Sequence, residues 1–298
     1  MKKIVLGVLI CLFAVSCSNE TDDQVFNNEE MAPVKVHVGG FDVTQGEISE
    51  AREMTRAAEA VENYEGVKAL TLAFYKSDGT EQYQVTQFRS NMSGQTFGEF
   101  SLALPMGSYT MVVVGRGYSD GDVFALTSPT LAEYTSGRVR ETFVATEAVN
   151  VTTNTPLDLS ATLNRVVAKV QINSTDLKTA DVSKMRITFA AGGKAVNPTT
   201  GLATVNTGVV NELTGSGSVG NTTTAITYLF LATDEQTMDI TIETLDADGK
   251  VLFTKVVNNV PLKRNRLTKL TGKVYTADAG STSFLINSDW EPENNVGF

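Results

Sequence analysis

The sequence predicts an all-β protein built from antiparallel sandwiches, and three observations support this. Apolar and polar residues alternate with a period of two in most of the chain. Asp-Gly pairs separate several of these segments, at the spacing expected of hairpins. No long stretch has the periodicity of an amphipathic helix. Short strands separated by turns in this way are typical of β-sandwiches.

Six segments show the alternation most clearly. In KALTLAFYK, Leu70, Leu72 and Phe74 share one face of a strand, and the side chains between them share the other. The other five segments are residues 109–115, 166–172, 185–191, 225–232 and 238–245. Asp-Gly follows or precedes such segments in KSDGTE (76–81), YSDGDV (118–123) and DADGKV (246–251). Asp-Gly is favoured in tight hairpin turns, which need a positive φ.

Two features divide the chain. Polar turn residues and Pro156 interrupt the strand pattern at residues 152–162, which indicates a domain boundary. We therefore predict an N-terminal β-sandwich domain at residues 57–160 and a C-terminal one at residues 161–298. Residues 207–224 are rich in Gly, Ser and Thr and are predicted to be a loop.

Residues 1–16 have the pattern of a lipoprotein signal peptide. Lys2 and Lys3 precede an apolar run, IVLGVLICLFAV, that is too short to cross a bilayer comfortably. The run ends in AVSC (14–17), which resembles a bacterial lipobox with Cys17 as the acylated first residue of the mature chain. The polar SNETDD that follows resembles the export signal of surface lipoproteins in the Bacteroidetes. An ordinary secretory signal is the alternative.

Charge and composition exclude several function classes. The net charge is −10, and −12 without Lys2 and Lys3, which argues against nucleic acid as a partner. His37 is the only histidine, so a Ser-His-Asp site would have to recruit it from the N-terminal segment. We expect it to be an ordinary strand residue. One histidine and one lipidated cysteine cannot form a zinc site. We predict no catalytic residue, no metal and no cofactor.

The segment SEAREMTRAAEAVE (49–62) lies between two stretches that both read as strands. Connections of this length in a compact sandwich usually have a function. Residues 49–62 could form a short helix, a slack connection or a site for proteolysis at Arg52 or Arg56. The residues alone leave these three open.

Basic residues cluster in KRNRLTKLTGK (263–273). They are Lys263, Arg264, Arg266, Lys269 and Lys273. Such a cluster is most often a solvated strand surface. It could also contact an anionic glycan or the acidic face of another subunit.

Three stretches together resemble the fimbrillin superfamily of type V pili, the FimA/Mfa-like subunits of Bacteroidia. They are LNRVVAKVQI (163–172), VPLKRNRLTKLTGKVYT (260–276) and TSFLINSDWEPENNVGF (282–298). LPMGSYTMVVVG (104–115) is similar to the first domain of that family, and with the lipobox the resemblance covers most of the chain. It implies two transthyretin-like antiparallel β-sandwich domains in tandem.

The resemblance also implies proteolytic maturation. In shaft subunits of this kind, a trypsin-like protease cuts after an arginine in the loop that follows the first strand. EMTRAAEA fits this pattern, with cleavage after Arg56, Ala57 as the new N-terminus and Arg52 as the second choice. The pro-segment would be residues 17–56, including a removable first strand at residues 33–43.

The last 17 residues, 282–298, would then be the donor strand that enters another subunit. Phe284, Ile286 and Trp290 lie on one face of such a strand and Leu285 on the other. The chain would be exported as an outer-membrane lipoprotein precursor and would end in a cell-surface fimbrium. Its partners would be copies of itself or related pilins, in a head-to-tail polymer. The alternatives are an anchor or minor subunit that keeps its lipid, and a surface glycan-binding lipoprotein.

Overall fold

The computed structural model describes residues 30–42, 61–92, 94–215, 217–277 and 284–287. Within these ranges the regular structure is strand, apart from one turn of 3-10 helix at Arg89–Asn91. The predicted all-β sandwich fold is therefore confirmed. In the same ranges, no helix is long and apolar enough to cross a membrane.

The strands are numbered in chain order over the described residues. They are β1 (Met31–Asp42), β2 (Ala69–Lys76), β3 (Glu81–Phe88), β4 (Glu99–Pro105), β5 (Gly107–Arg116), β6 (Val123–Ser128), β7 (Leu131–Ser136), β8 (Thr142–Val151), β9 (Leu157–Arg165), β10 (Val167–Ser174), β11 (Lys184–Phe189), β12 (Ala195–Asn197), β13 (Leu202–Ala203), β14 (Val209–Thr214), β15 (Thr224–Phe230), β16 (Glu235–Leu245), β17 (Val251–Lys263), β18 (Leu267–Gly272) and β19 (Leu285–Asn287).

Seven of the first nine strands form one sheet, in the order β3-β2-β5-β8-β9-β1-β4. This sheet curls until its two edge strands meet. There the side-chain amide of Gln87 on β3 donates to the carbonyl of Glu99 on β4 (2.6 Å) and accepts from the backbone N–H of Gly98 (2.9 Å). Because of the curl, side chains from both ends of the sheet fill one core, Val36 of β1 and Phe74 of β2 among them. We call this curled sheet the first sandwich.

The second sandwich consists of two four-stranded sheets, β15-β10-β18-β19 and β14-β11-β16-β17. Its core lies between them and includes Val170 of β10 and Ile187 of β11. The terminal strand β19 is an edge strand that pairs with β18.

A smaller sheet, β13-β12-β7-β6, lies against the outer face of β2 and β5. It explains why β2 is buried on both sides: Leu70 points into the first core, while Tyr75 packs in a third cluster with Tyr134 and Phe230. This sheet takes two strands from each side of the boundary predicted at residue 160. The boundary itself falls within β9, which pairs with β1 in the first sandwich.

Two ladders are parallel, a difference from the antiparallel pairing expected throughout. β1 pairs with β9, and β10 pairs with β18, in parallel. Side chains alternate with the same period in parallel and antiparallel strands, so the sequence pattern does not distinguish them. In each sandwich the first strand lies between one antiparallel neighbour, β4 or β15, and one parallel neighbour, β9 or β18.

Two of the three Asp-Gly turns are hairpins, as predicted. Gly79 (φ 83°) joins β2 to β3, and Gly249 (φ 86°) joins β16 to β17. The turn at residues 120–121 is not a hairpin, because the strands β5 and β6 on either side of it lie in different sheets. An Asp-Gly pair allows a sharp reversal but does not decide which strands pair.

The prediction of a loop at residues 207–224 is wrong for residues 209–214. Val209–Thr214 forms β14, in which Val209, Asn211 and Leu213 alternate inward. The short run VVNELT has the period of a strand, and its pairing with β11 outweighs the Gly- and Ser-rich residues that follow it.

Candidate functional site

β1 lies between β4 and β9 in the sheet of the first sandwich. Residues 31–37 pair antiparallel with β4, and residues 34–42 pair parallel with β9, with a bulge between Val38 and Gly40. The inward side chains are at most 1% exposed: Ala32, Val34, Val36 and Val38. The outward side chains, such as that of Lys35, are exposed.

β1 is therefore both a ladder partner and a part of the core. Without it, β4 and β9 would each present a row of unpaired backbone donors and acceptors. Each large buried apolar side chain contributes about 1.5–3 kcal/mol to stability. The buried valines therefore hold β1 in place in addition to its backbone hydrogen bonds. We call the space that these four side chains fill between β4 and β9 the β1 trough.

His37 lies on the exposed face of β1, where its ring pairs with the carboxylate of Glu99 across the β4 ladder. It is a strand residue, as expected. In the part of the chain that the structure describes, no three His, Cys, Asp or Glu side chains lie close enough together to hold a metal ion.

The chain after the described part of β1 is firmly held again at residue 61. Val61 is fully buried. The Arg89 guanidinium donates to the carbonyl oxygens of Val61 (2.7 Å), Glu62 (2.7 Å), Tyr64 (2.9 Å) and Val67 (2.9 Å). One arginine thus fastens the segment that leads into β2. Residues 43–60, between this clamp and β1, lie outside the described residues.

The terminal strand β19 is held much less firmly. Over the described residues 284–287, it pairs at three positions with one neighbour, β18. Phe284 and Ile286 pack against the core of the second sandwich, while Leu285 is 71% exposed. Gly272 makes room for Phe284, because a Cβ at Gly272 would lie 2.7 Å from the Phe284 ring.

The chain just before the terminal strand is fastened by Asp176. Its carboxylate accepts from the backbone N–H of Val274 (2.9 Å) and Tyr275 (2.8 Å) and from the hydroxyl of Thr276 (3.0 Å). Tyr275 is buried, which raises the pKa of its hydroxyl. These three hydrogen bonds fix residues 274–276 to the second sandwich.

A buried polar network lies where the two sandwiches meet. Arg165 forms an ion pair with Glu141 (2.7 Å) and donates to the side-chain oxygen of Asn265 (3.2 Å). The Tyr64 hydroxyl lies 2.9 and 2.8 Å from the two Glu141 oxygens and donates to this carboxylate. Asn265 has a φ of 57°, a left-handed conformation that asparagine tolerates better than most residues. The network joins the motif residues Arg165 and Asn265 to two that the sequence did not indicate, Glu141 and Tyr64.

An open cleft of about 610 Å³ adjoins this network. It lies between β8, β9 and three turns, at residues 198–201, 234–235 and 263–266. We call it the junction cleft. It is lined by the basic side chains Arg165, Lys263, Arg264 and Arg266 and by the carboxylates of Asp234 and Glu235. Lys263 pairs with Glu235, and Arg264 pairs with Asp234 at 2.7 Å. Part of the predicted basic cluster thus lines a polar cleft and is paired.

Several predicted site residues lie outside the described residues. They are Cys17, Arg52, Arg56, Ala57 and Trp290. Of the predicted donor strand, the structure describes residues 284–287 only.

This architecture places the protein in the class of all-β sandwich proteins, and solved structures are similar to it in fold. One is a proposed adhesin from Bacteroides ovatus, with a TM-score of 0.51 and 13% identity over 86% of this chain and 96% of that chain. A second is a proposed polysaccharide-binding protein (DUF1812) from Bacteroides thetaiotaomicron VPI-5482, at 0.51 and 12% over 87% and 96%. A third, a proposed adhesin from the same strain, matches at 0.50 and 12% over 88% and 97%. At these identities the likeness is one of fold.

The chain belongs to a family of unknown function, DUF6562, whose model matches residues 41–296. No curated protein matches the chain in sequence.

Proposed function

We propose that the protein is a structural subunit of a surface fimbrium that assembles by strand replacement after proteolysis. The observation that carries this proposal is the position of β1. It fills a trough between two ladders, yet a segment with two arginines connects it to a body that is clamped again at Val61. The fold shared with proposed adhesins and the sequence resemblance to fimbrillins support the same conclusion.

Cleavage after Arg56 would leave only Ala57–Ala60 ahead of the clamped segment. The released piece, residues 17–56, has nine acidic and three basic residues, so its loss changes the net charge from −12 to −6. A smaller like charge weakens the repulsion between subunits, most of all at low ionic strength.

The empty trough would then accept the terminal strand of another copy. Main-chain hydrogen bonds to β4 and β9 would hold the incoming strand, and its alternate side chains would fill the positions of the valines. Phe284 and Ile286 already lie on one side of their strand and Leu285 on the other, as this requires. The contact joins unlike surfaces of two copies and does not close, so it produces a filament.

The precursor in this proposal is an outer-membrane lipoprotein acylated at Cys17, which a trypsin-like protease converts to the mature subunit. An anchor or minor subunit would instead keep the lipid and β1. A surface glycan-binding lipoprotein is the other alternative. It would need a site on the body, such as the groove of about 390 Å³ between β3 and β4, where Tyr83 and Phe88 contribute aromatic rings.

The test of maturation is mass spectrometry of the N-terminus in protein released from the cell surface. We expect Ala57 in the wild type, a shift to residue 53 in Arg56→Ala, and no cleavage in the Arg52→Ala/Arg56→Ala double variant. Lys68→Ala, a basic residue in the clamped part of the chain, is the control and should mature normally. Surface fibres whose subunits all begin at an acylated Cys17 would refute the proposal.

The test of assembly is the ladder of oligomers that a strand-exchanged polymer shows on unheated gels. Deletion of residues 282–298 should abolish the ladder and leave a folded, processed monomer. Ladders that persist after this deletion would rule out the terminal strand as donor. Monomers that bind soluble polysaccharide and never form ladders would favour the glycan-binding alternative.

A further inference from the structure

The two sandwiches repeat one strand arrangement. Without the short contact between β8 and β9, the sheet of the first sandwich divides into β3-β2-β5-β8 and β9-β1-β4. The second sandwich has β14-β11-β16-β17 and β18-β10-β15 in the corresponding places, and the seven strands follow one another along the chain in the same order. Of the described strands in these sheets, β19 alone has no counterpart in the first sandwich.

The place that corresponds to β19 is the edge of β9 that faces away from β1. In the second sandwich, β19 pairs with the edge of β18 that faces away from β10. In the first sandwich, β8 pairs with the corresponding edge at Asn164 and Arg165. Residues 157–163 of β9 have β1 on one side and, among the residues that the structure describes, no strand on the other. Every second backbone N–H and C=O of this stretch therefore points away from the ladder with β1. We call residues 157–163 the open edge.

Burial of the inward leucines agrees with this comparison. Ile172, the third inward residue of β10, pairs with Leu270. Val36, the third inward residue of β1, pairs with Leu159, so the two leucines correspond. Leu270 lies opposite Ile286 of β19 and is fully buried, whereas Leu159 packs against the first core and is only partly buried. Apolar core is thus accessible at the open edge, at the position that β19 covers in the second sandwich.

Little in the sequence protects the open edge. Proteins usually prevent unwanted pairing at an edge strand with lysine, proline or inward-pointing charges. Residues 157–163 contain no Lys or Pro, and their one charged side chain, Asp158, is exposed on the outer face. An unprotected edge with apolar surface beside it binds an extended strand by adding it to the sheet.

We propose that the open edge of β9 is a docking site for the terminal strand β19 of a second copy. The occupant follows from the second sandwich, where the corresponding edge already binds β19 in antiparallel register. In the same register at β9, Ile286 of the second copy lies opposite Leu159 and covers it. Leu285 lies opposite Ser160 on the outer face. This edge is open while β1 is in place, so the contact needs no proteolysis and does not rest on the proposed function.

Disulfide trapping tests this register in a chain that starts at residue 18, which contains no cysteine. A Ser160→Cys protein and a Leu285→Cys protein, both uncleaved, are mixed and oxidised, and mass spectrometry identifies the linked peptides. We expect a 160–285 disulfide between copies, because directly opposed residues of neighbouring strands have Cβ atoms about 4.5–5.5 Å apart, close to what a disulfide needs.

The matched control replaces Ser160→Cys with Lys35→Cys. Lys35 is exposed on the same outer face one strand further in, where β1 is already paired on both sides. Its disulfide with residue 285 should be about ten-fold rarer or less frequent still, because only random collisions form it, whereas docking raises the effective concentration of the two thiols. Thr271→Cys with Leu285→Cys in one chain is the positive control and should close a disulfide within the monomer.

Ile286→Asp in the donor protein tests the inward contact. Ile286 packs at the edge of the second core, so the variant should remain folded, as urea unfolding can confirm. Loss of one apolar anchor worth about 1.5–3 kcal/mol should lower the yield of the 160–285 disulfide about ten-fold or more. A yield that does not change, or one no higher than that of the Lys35→Cys control, would overturn the proposal.

Hydrogen exchange identifies the source of the strand without any substitution. The amides of residues 157–163 that face the open edge should exchange rapidly in dilute protein and become protected as the concentration rises. Protection that is independent of concentration would mean that another segment of the same chain covers the edge, and would also overturn the proposal. All these measurements use uncleaved protein with β1 in place, so they succeed or fail separately from fimbrial assembly.

Discussion

β1 and β19 are held in opposite ways, and the difference determines which strand can leave. β1 has twelve residues, pairs on both sides and buries four side chains almost completely. Among residues 284–287, the part that the structure describes, β19 pairs at three positions on one side, and Leu285 is largely exposed. A cut between β1 and the body would remove the covalent link, but the two ladders and the four buried side chains would still hold β1. The described part of β19 is held by an edge contact and needs no cut.

In the proposed assembly, the release of β1 from the trough, and not the release of the donor strand, should limit strand exchange. The body around the trough is cross-linked by side chains: Gln87 joins its edge strands, Arg89 clamps the chain at Val61, and the Glu141 network connects it to the second sandwich. Low-stability segments are the ones that move in proteins, and the terminal strand is the obvious candidate. The following predictions test this contrast in order of expected effect.

The largest effect is expected from a charge placed in the trough. Val36→Asp should destabilise the uncleaved protein by about 5 kcal/mol or more, because an unpaired buried charge adds to the lost apolar burial. Ile286→Asp should cost less than about 1 kcal/mol, because the edge strand can detach and solvate the carboxylate. Urea unfolding of the two variants provides the comparison.

The control for this pair is Lys35→Asp, which places the same carboxylate on the exposed face of β1. Surface substitutions of this kind usually stay within about 0.5 kcal/mol. Equal losses of stability in Val36→Asp and Ile286→Asp would show that the two strands are held equally well and would remove the contrast.

The second prediction concerns the wall of the trough. Arg165 is the last residue of β9, and Glu141→Ala would remove the carboxylate from its buried ion pair. Breaking a buried pair in this way costs about 3–5 kcal/mol. Tyr64→Phe removes the hydroxyl that donates to Glu141 and accepts from Arg165 (3.4 Å), and it should cost about 1–3 kcal/mol. Thermal unfolding would test this order, and a larger loss in Tyr64→Phe would contradict it.

Alkaline pH should weaken the folded body through its buried tyrosines. Burial raises the pKa of Tyr134 to about 12, whereas an unfolded tyrosine titrates near 10. The folded state thus keeps a proton that the unfolded state loses, so stability is constant below pH 10 and falls between pH 10 and 12. Each such tyrosine contributes about 1.4 kcal/mol per pH unit in this window. Tyr134→Phe should reduce the slope by that amount, and an unchanged slope would contradict the assignment.

The sequence predicted the strands better than their partners. Period-two alternation located β2, β10, β15 and β16, because burial on a pleated surface has a local pattern. It did not predict the parallel neighbours of β1 and β10, whose partners are distant in the chain and give the same alternation. It also missed that β2 is buried on both faces, since the covering sheet includes strands from residues 195–203.

The candidate site shows the same limit. Arg165 and Asn265 stood in motifs that resembled a family, but only the folded chain shows that they meet each other and Glu141. Glu141 comes directly before the apolar strand β8. A charged residue at the end of a strand is common, so nothing in the sequence indicated a buried ion pair there. Maturation at Arg56 remains a prediction, because Arg56 lies outside the described residues. The donor role of the terminal strand also remains a prediction, because the structure shows residues 285–287 paired with β18 of their own chain.

The smallest effect on stability, and the most specific one, is expected from Gly272. A Cβ there would lie 2.7 Å from the Phe284 ring, so Gly272→Val should expel Phe284 and detach β19. Because the described residues of β19 pair with one neighbour, β18, global stability should fall by about 1 kcal/mol or less, while hydrogen exchange at Ile286 accelerates strongly. Leu285→Asp alters the same strand on its exposed face and should leave exchange unchanged. Rapid exchange in β1 as well would mean that the two strands are released together, and would contradict their separate attachment.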